Sequence, residues 1–168
     1  MADAMPTPKQ QFLDAFTQEH ATTMKVLRAF PGDKGEFRPH PNSQSARELA
    51  WTFVMEQGLI SMALTNSLKL GGGMPKAPEN FQSIIDQFDK DFAGLVELIK
   101  KTPDTQYNTS TVNFFSGPGK TADFPVPQFC QFMLCDQIHH RGQYSVYIRL
   151  AGGKVPSIYG PSHDEPWR

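Results

Sequence analysis

Asp136 and His140 stand four residues apart in the stretch CDQIHHRGQYSVYIRLAGGKVPSIYGPSHDE, which runs from Cys135 to Glu165. On a helix that spacing places a carboxylate and an imidazole one above the other on a single face. The two can then grip one divalent ion, or form an ordinary Asp–His⁺ pair in a polar seam. Tight metal binding needs a third ligand, which in helical bundles comes from a facing helix. Phe129, Met133, Gln143 and Tyr147 recur on the same face, so Gln143 and Tyr147 are expected around any pocket there.

The neighbouring groups read differently. His139 is rotated about 100° from His140 and shares its face with Phe132, Cys135 and Val146, so the adjacent histidines cannot serve one ion without distortion. His139 is therefore expected to be a packing or interface histidine. Arg141, on a further face, is expected in a surface or interface ion pair. Gly142 costs about 1 kcal/mol in a helix interior relative to Ala, which a close helix approach would compensate. His163, Asp164 and Glu165 look like a ligand cluster, but adjacent loop residues rarely converge on one ion. Asp164 and Glu165 read most simply as solvated charges.

Four helices are expected to position these groups. Leu13, Phe16, His20, Met24 and Leu27 line one face of a helix over 7–29, ended by Pro31-Gly32. Ser45 and Glu48 form a capping box that opens a second helix over 45–69, apolar around most of its circumference and stopped by Gly71-Gly72-Gly73. Asn80 caps a third over 80–101, and the fourth runs over 126–151 to Gly152-Gly153. The pattern is an all-α four-helix bundle in one domain over 1–168, with long connections at 30–44 and 102–126 and an irregular tail at 152–168. The short link between helices 2 and 3 is expected to cross the end of the bundle. Within 102–126, STVNFF and KTADFP can pair as a short hairpin around Ser116-Gly117-Pro118-Gly119. The tail is expected to fold back along the outside, with Ile158 and Tyr159 as apolar anchors.

Composition excludes other classes. Lys plus Arg total 16 against 17 Asp plus Glu, a formal net charge of −1, so nothing implies nucleic-acid binding. No segment is apolar enough to span a bilayer, and the N-terminal MADAMPTPKQQF lacks the pattern of a secretory signal, so a cytoplasmic location is expected. Cys130 and Cys135 fall about 140° apart around one helix, poor geometry for a disulfide, and are expected to be reduced.

Two segments, FRPHPNSQSARELAW and IHHRGQYSVYIRLAGGKVPSIYGPSHDE, closely resemble the DinB/YfiT-like family of metal-dependent proteins, and the likeness runs from Phe12 to Glu165. The resemblance implies a four-helix bundle, commonly a homodimer, with a divalent metal, nickel or zinc, held by three side chains. The ligands it implies are a histidine in helix 2, the histidine of the H-R-G motif, and a residue four before that. The last two fall on His140 and Asp136, although the family more often carries histidine where this chain has Asp136.

The first ligand falls in LAWT on Thr52, and a neutral hydroxyl is a poor ligand for a borderline metal. Glu56, one turn beyond Thr52 on the same face, is the candidate replacement; otherwise it neutralises His140 in a metal-free protein. Glu48 points the same way but is engaged by the cap, and His20 on helix 1 is a more distant candidate.

The resemblance implies a metal-dependent enzyme, transferase-like or hydrolase-like, acting on a low-molecular-weight thiol or thiol adduct. Asp136 and His140 would be ligands and Glu56 a substitute ligand or base. The alternative is a degenerate member without metal that binds a small molecule or serves as a dimeric interaction module. A third reading is acid–base catalysis by His140 tuned by Asp136.

Overall fold

The computed structural model describes residues 5–72 and 75–167. Its long helices are α1 (Pro8–Arg28), α2 (Ala46–Leu64), α3 (Phe81–Lys101) and, after a short α4 (Asp104–Thr109) and a hairpin of β1 (Thr111–Gly117) with β2 (Lys120–Pro125), α5 (Val126–Leu150). A single 3-10 turn, Gly32–Lys34, interrupts the α1–α2 connection.

Local chemistry sets the starts. The Thr7 hydroxyl accepts from the Gln10 amide, and Pro8 occupies the first turn, where its missing N–H costs nothing. At α2 both halves of the capping box close: the Glu48 amide donates to Ser45 Oγ at 3.2 Å and the Ser45 amide donates to the Glu48 carboxylate at 2.8 Å. Asn80 accepts from the amides of Gln82 and Ser83 at the head of α3. Each such cap is worth about 1 kcal/mol.

α2 stops at Leu64, short of the expected end at residue 69. Asn66 adopts a left-handed φ of 53°, and the Ser67 amide donates to the Met62 carbonyl at 2.9 Å, which closes the helix end. Gly71, with φ of 91°, thus lies in the following loop. Gly73 and residues 1–4 lie outside the described residues. The hairpin forms as expected, antiparallel with Val112 opposite Phe124 and Phe114 opposite Ala122. The helix α4 was not foreseen.

Helix directions follow from the two apolar clusters that make the core. The first contains Leu49, Phe53, Ile84, Phe88 and Tyr144; the second contains Phe16, Ile60, Ile99, Phe129 and Met133. Going along the chain, α1 and α5 pass from the second cluster to the first, whereas α2 and α3 pass from the first to the second. α1 and α5 therefore run together, antiparallel to α2 and α3. α2 packs on α3 and α5, as does α1, leaving α1 diagonal to α2.

Parallel α2 and α3 overturn the expectation that their link crosses the bundle end. The segment must return along α2 to its N-terminal end. There Trp51 Nε1 donates to the Pro75 carbonyl at 2.8 Å and Arg47 Nη1 to the Ala77 carbonyl at 2.9 Å. Between the returning segment, the 38–44 loop and α2 lies an open cavity of about 900 Å³, lined among others by Arg38, Arg47, Trp51, Thr52, Met55 and Lys76.

The clusters do not merge. Between them each of three helices turns polar: His20 and Thr23 on α1, Glu56 and Gln57 on α2, Gln137 and Arg141 on α5, all buried. A polar layer across a bundle interior is expensive, since an unsatisfied buried polar group costs about 1–3 kcal/mol.

Candidate metal centre

Where α2 and α5 cross this layer in opposite directions, Glu56 meets His140. The Glu56 residue is 2 % exposed, and its Oε1 lies 2.7 Å from His140 Nδ1. Asp136, one turn before His140, completes a group in which one ligand atom from each residue falls within 4.8 Å of the others. The structure thus brings Glu56, Asp136 and His140 together.

Burial and pairing oppose each other in this group. Desolvation pushes the Glu56 carboxyl up to about 7, against the pull of the His140 hydrogen bond and charge. The hydrogen bond to Glu56 raises the His140 imidazole, with its own burial working the other way. The second carboxylate oxygen, Glu56 Oε2, is buried without any hydrogen-bond partner. An orphaned anionic oxygen beside a second carboxylate and an imidazole is the environment that a divalent cation relieves, so the residues present fit such an ion.

The other expected site residues go elsewhere. The Thr52 hydroxyl donates back to the Glu48 carbonyl of its own helix at 3.3 Å, and Thr52 lines the 900 Å³ cavity, outside the three-residue group. Tyr147 is buried and donates to the Gln44 carbonyl at 3.0 Å, bracing the loop that walls that cavity. Gln143 is exposed and its amide pairs with His139 Nε2 at 2.9 Å, so it belongs to the surface. Glu48 is engaged by its cap and by Arg38 at 2.9 Å. His20 bonds Asp89 at 3.0 Å and stacks on Phe92 with ring centroids 3.6 Å apart; burial holds its imidazole below the usual range.

Several sequence expectations are corrected. Arg141 is 1 % exposed, not superficial: its guanidinium meets the Glu19 carboxylate at 2.6 Å, the Glu19 carbonyl and Thr23 Oγ1 at 3.2 Å each, and the Tyr159 hydroxyl. The signal lay in its place about 100° round the helix from His140, on the side that turns inward, and in Glu19 and Thr23 one turn apart on α1. Tyr159 is a polar anchor rather than an apolar one: the residue is 61 % exposed while its hydroxyl bonds Arg141 and Glu19. Ile158 and Val155 do pack on the first cluster.

Asp164 and Glu165 are not merely solvated. Asp164 accepts from the Arg149 guanidinium and from the Val155 amide, and Glu165 accepts from Lys25 at 2.6 Å and from the Ser157 amide at 2.8 Å. Both buckle the tail onto α1 and α5. A Cβ on Gly142 would meet no atom within 4 Å, so within this chain no helix approaches it closely. Cys130 and Cys135 are free thiols, the first buried and the second exposed.

No helix among the described residues is long and apolar enough to cross a membrane. A sequence model of the DinB family matches residues 5–168. A relative described as the uncharacterized protein YrdA of Bacillus subtilis (strain 168) is 26% identical over 158 residues, covering 92% of this chain and 89% of the relative. The crystal structure of a DinB-like protein from Bacillus cereus ATCC 10987 superposes with a TM-score of 0.72 at 27% identity, over 88% of this chain and 95% of that one. A DinB-like protein from Bacillus subtilis, YjoA, shares the fold at a TM-score of 0.68 and 15% identity, over 86% and 94% of the two chains.

Proposed function

This chain belongs to the DinB family, and on that premise we propose that it is a divalent-metal-dependent enzyme whose ion is held by Glu56, Asp136 and His140. The observation that carries the reading is the convergence of one ligand atom from each of these three residues, with Glu56 Oε2 of the same carboxylate buried and unpaired. A bound ion with an open position lowers the pKa of a thiol or water and so supplies a nucleophile at neutral pH.

The chain's own residues perform the rest. Glu56 reaches the group from α2 and takes the ligand role that Thr52 cannot. Two carboxylates with one imidazole form a harder donor set than a histidine-rich one, which suits zinc or nickel and admits manganese. The cavity beside Thr52 adjoins the same face of α2, one turn before Glu56, and offers Trp51 and Met55 as apolar surface with Arg38, Arg47 and Lys76 around it. It suits a small substrate of mixed character, for which a low-molecular-weight thiol or its adduct is the class proposed.

A second reading rests on the Glu56–His140 hydrogen bond, which satisfies both groups partly without an ion. It makes the chain a metal-free small-molecule-binding module. Metal content of protein purified without a histidine tag, followed by calorimetric titration with Zn²⁺, Ni²⁺ and Mn²⁺, separates the two. Sub-micromolar Zn²⁺ binding that disappears in His140→Ala supports the metal centre. Binding seen only after Thr52→His sinks it in favour of the metal-free module.

The same proposal takes the working unit to be a homodimer. Support comes from α5, whose outer face exposes Phe132, Val146 and Leu150 around the open Gly142. Light scattering that returns a monomer mass at micromolar concentration would count against it.

A further inference from the structure

The cavity beside α2 is charged at one end. Arg38, Arg47 and Lys76 line it with the carboxylates Glu48 and Glu79, and these groups differ in how far they are already engaged. Glu48 Oε2 accepts from the Ser45 amide at 2.8 Å and from Arg38 at 2.9 Å, and Arg38 donates to the Ser43 carbonyl at 2.7 Å. Both therefore serve the capped start of α2.

Arg47 is held in place with one nitrogen left over. Its Nε meets Glu36 at 2.6 Å and its Nη1 donates to the Ala77 carbonyl at 2.9 Å, with the Pro78 carbonyl at 3.4 Å. Nη2 meets no acceptor among the described residues. The same contacts place Lys76. The Pro75 carbonyl before it accepts from Trp51 Nε1 at 2.8 Å, and the Ala77 carbonyl after it accepts from Arg47, so its backbone is pinned beside two side chains one turn apart on α2. The Lys76 side chain is exposed, lines the cavity and makes no hydrogen bond or ion pair among the described residues.

With Glu36 included, cations and carboxylates at this end balance, so net charge selects nothing; the unused donors do. A guanidinium whose other N–H groups are already fixed loses little freedom on taking a carboxylate, and an ammonium on a flexible stem can close on the same anion. Further along, the cavity changes character. Trp51, its indole fixed by the Pro75 carbonyl, is followed one turn later by Met55, the neighbour of Glu56. Arg47 precedes Glu56 by nine residues, about 14 Å along the helix axis.

We propose that this end of the cavity is a carboxylate-binding subsite formed by Arg47 Nη2 and Lys76 Nζ. The substrate is then an elongated organic acid whose apolar body lies on Trp51 and Met55 and whose far end points toward Glu56. The inference rests on the cavity being the substrate site of the proposed function and names the group that the site recognises. The subsite itself needs no ion.

Trp51 reports on the cavity once Trp167, the other tryptophan, is replaced by Phe. Fluorescence of metal-free Trp167→Phe protein is titrated at neutral pH and fixed ionic strength with hydrocinnamate and with its neutral amide, which share one apolar body. The acid is expected to bind about tenfold more tightly than the amide, and that preference to fall by about threefold or more in Lys76→Gln and in Arg47→Gln. Arg47→Gln also removes the ties to Ala77 and Pro78, whereas Lys76→Gln breaks no contact among the described residues, so Lys76→Gln decides if the other variant does not fold. Equal affinity for acid and amide, no binding of the acid, or a preference that survives Lys76→Gln overturns the subsite. Failure of the metal reading shows separately, as absence of Zn²⁺ binding in wild type, and leaves this metal-free titration untouched.

Discussion

His140 Nδ1 and Glu56 Oε1 lie 2.7 Å apart across the α2–α5 interface, joining residues 84 positions apart in the chain at the level where the two apolar clusters separate. This one contact brings a buried carboxylate to the imidazole across the polar layer, and it ties the candidate site to the stability of the bundle.

That tie is read by pH in metal-free protein. Burial raises Glu56 in the fold to about 7 from 4.5, so between those values the native state binds more protons than the unfolded one, and stability falls as pH rises. His140, also raised, contributes stability that is complete below its unfolded value near 6.5 and is lost as pH climbs through its folded value. His20 is lowered and works the opposite way, losing stability as pH falls below 6.5, so the comparison must be made against Glu56→Gln. Wild type is expected to lose on the order of 1–3 kcal/mol relative to Glu56→Gln between pH 5 and pH 8 in urea titrations. Parallel pH profiles for the two proteins would contradict the assignment.

Arg141→Ala strips a buried guanidinium from Glu19, Thr23 and Tyr159 and leaves the Glu19 carboxylate without its cation. The expected cost is about 3–5 kcal/mol in chemical denaturation, because breaking a buried pair by removing one partner leaves the other uncompensated. A loss under 1 kcal/mol would show that the clasp carries little of the fold.

Tyr159→Phe keeps the ring over Arg141, at 5.0 Å, and removes only the hydroxyl that bonds Arg141 and Glu19. A loss of about 1 kcal/mol and faster proteolysis within residues 153–167 are expected. Unchanged cleavage kinetics would mean that Val155, Ile158 and the Asp164–Arg149 buckle hold the tail unaided.

Deleting the chain after Lys154 removes Val155 and Ile158 from the first cluster together with both acidic buckles. A lower melting temperature is expected, and an unchanged one would refute the docking of the tail.

Thr52→His places an imidazole one turn before Glu56, on the face that leads to the centre. Because a second imidazole softens the donor set, Ni²⁺ affinity is expected to rise about tenfold or more relative to Mn²⁺ in calorimetry. No change in that ratio would place residue 52 out of reach of the ion.

Local patterns were the legible part of this protein. The Ser45–Glu48 box, the Asn80 cap and the hairpin after residue 110 depend on neighbours within a few positions, and they form where the residues indicate. Asp136 and His140 share a face because helical periodicity alone dictates it. α2 was harder to bound, since its end depends on one left-handed residue, Asn66, in a sequence that continues apolar through Leu68 and Leu70.

By itself, then, the sequence determined the four long helices, the caps at Ser45 and Asn80, two members of the candidate triad and the departure at Thr52. The tertiary structure decided the remainder. It set α2 parallel to α3, so that the intervening segment runs back to wall a cavity. It also buried Arg141, whose charge had suggested a surface or interface ion pair, and drew Glu56 rather than His20 or Glu48 to His140. Those outcomes turn on which side chains fill the space between helices from distant parts of the chain. Close packing settles that choice globally, and no local period encodes it.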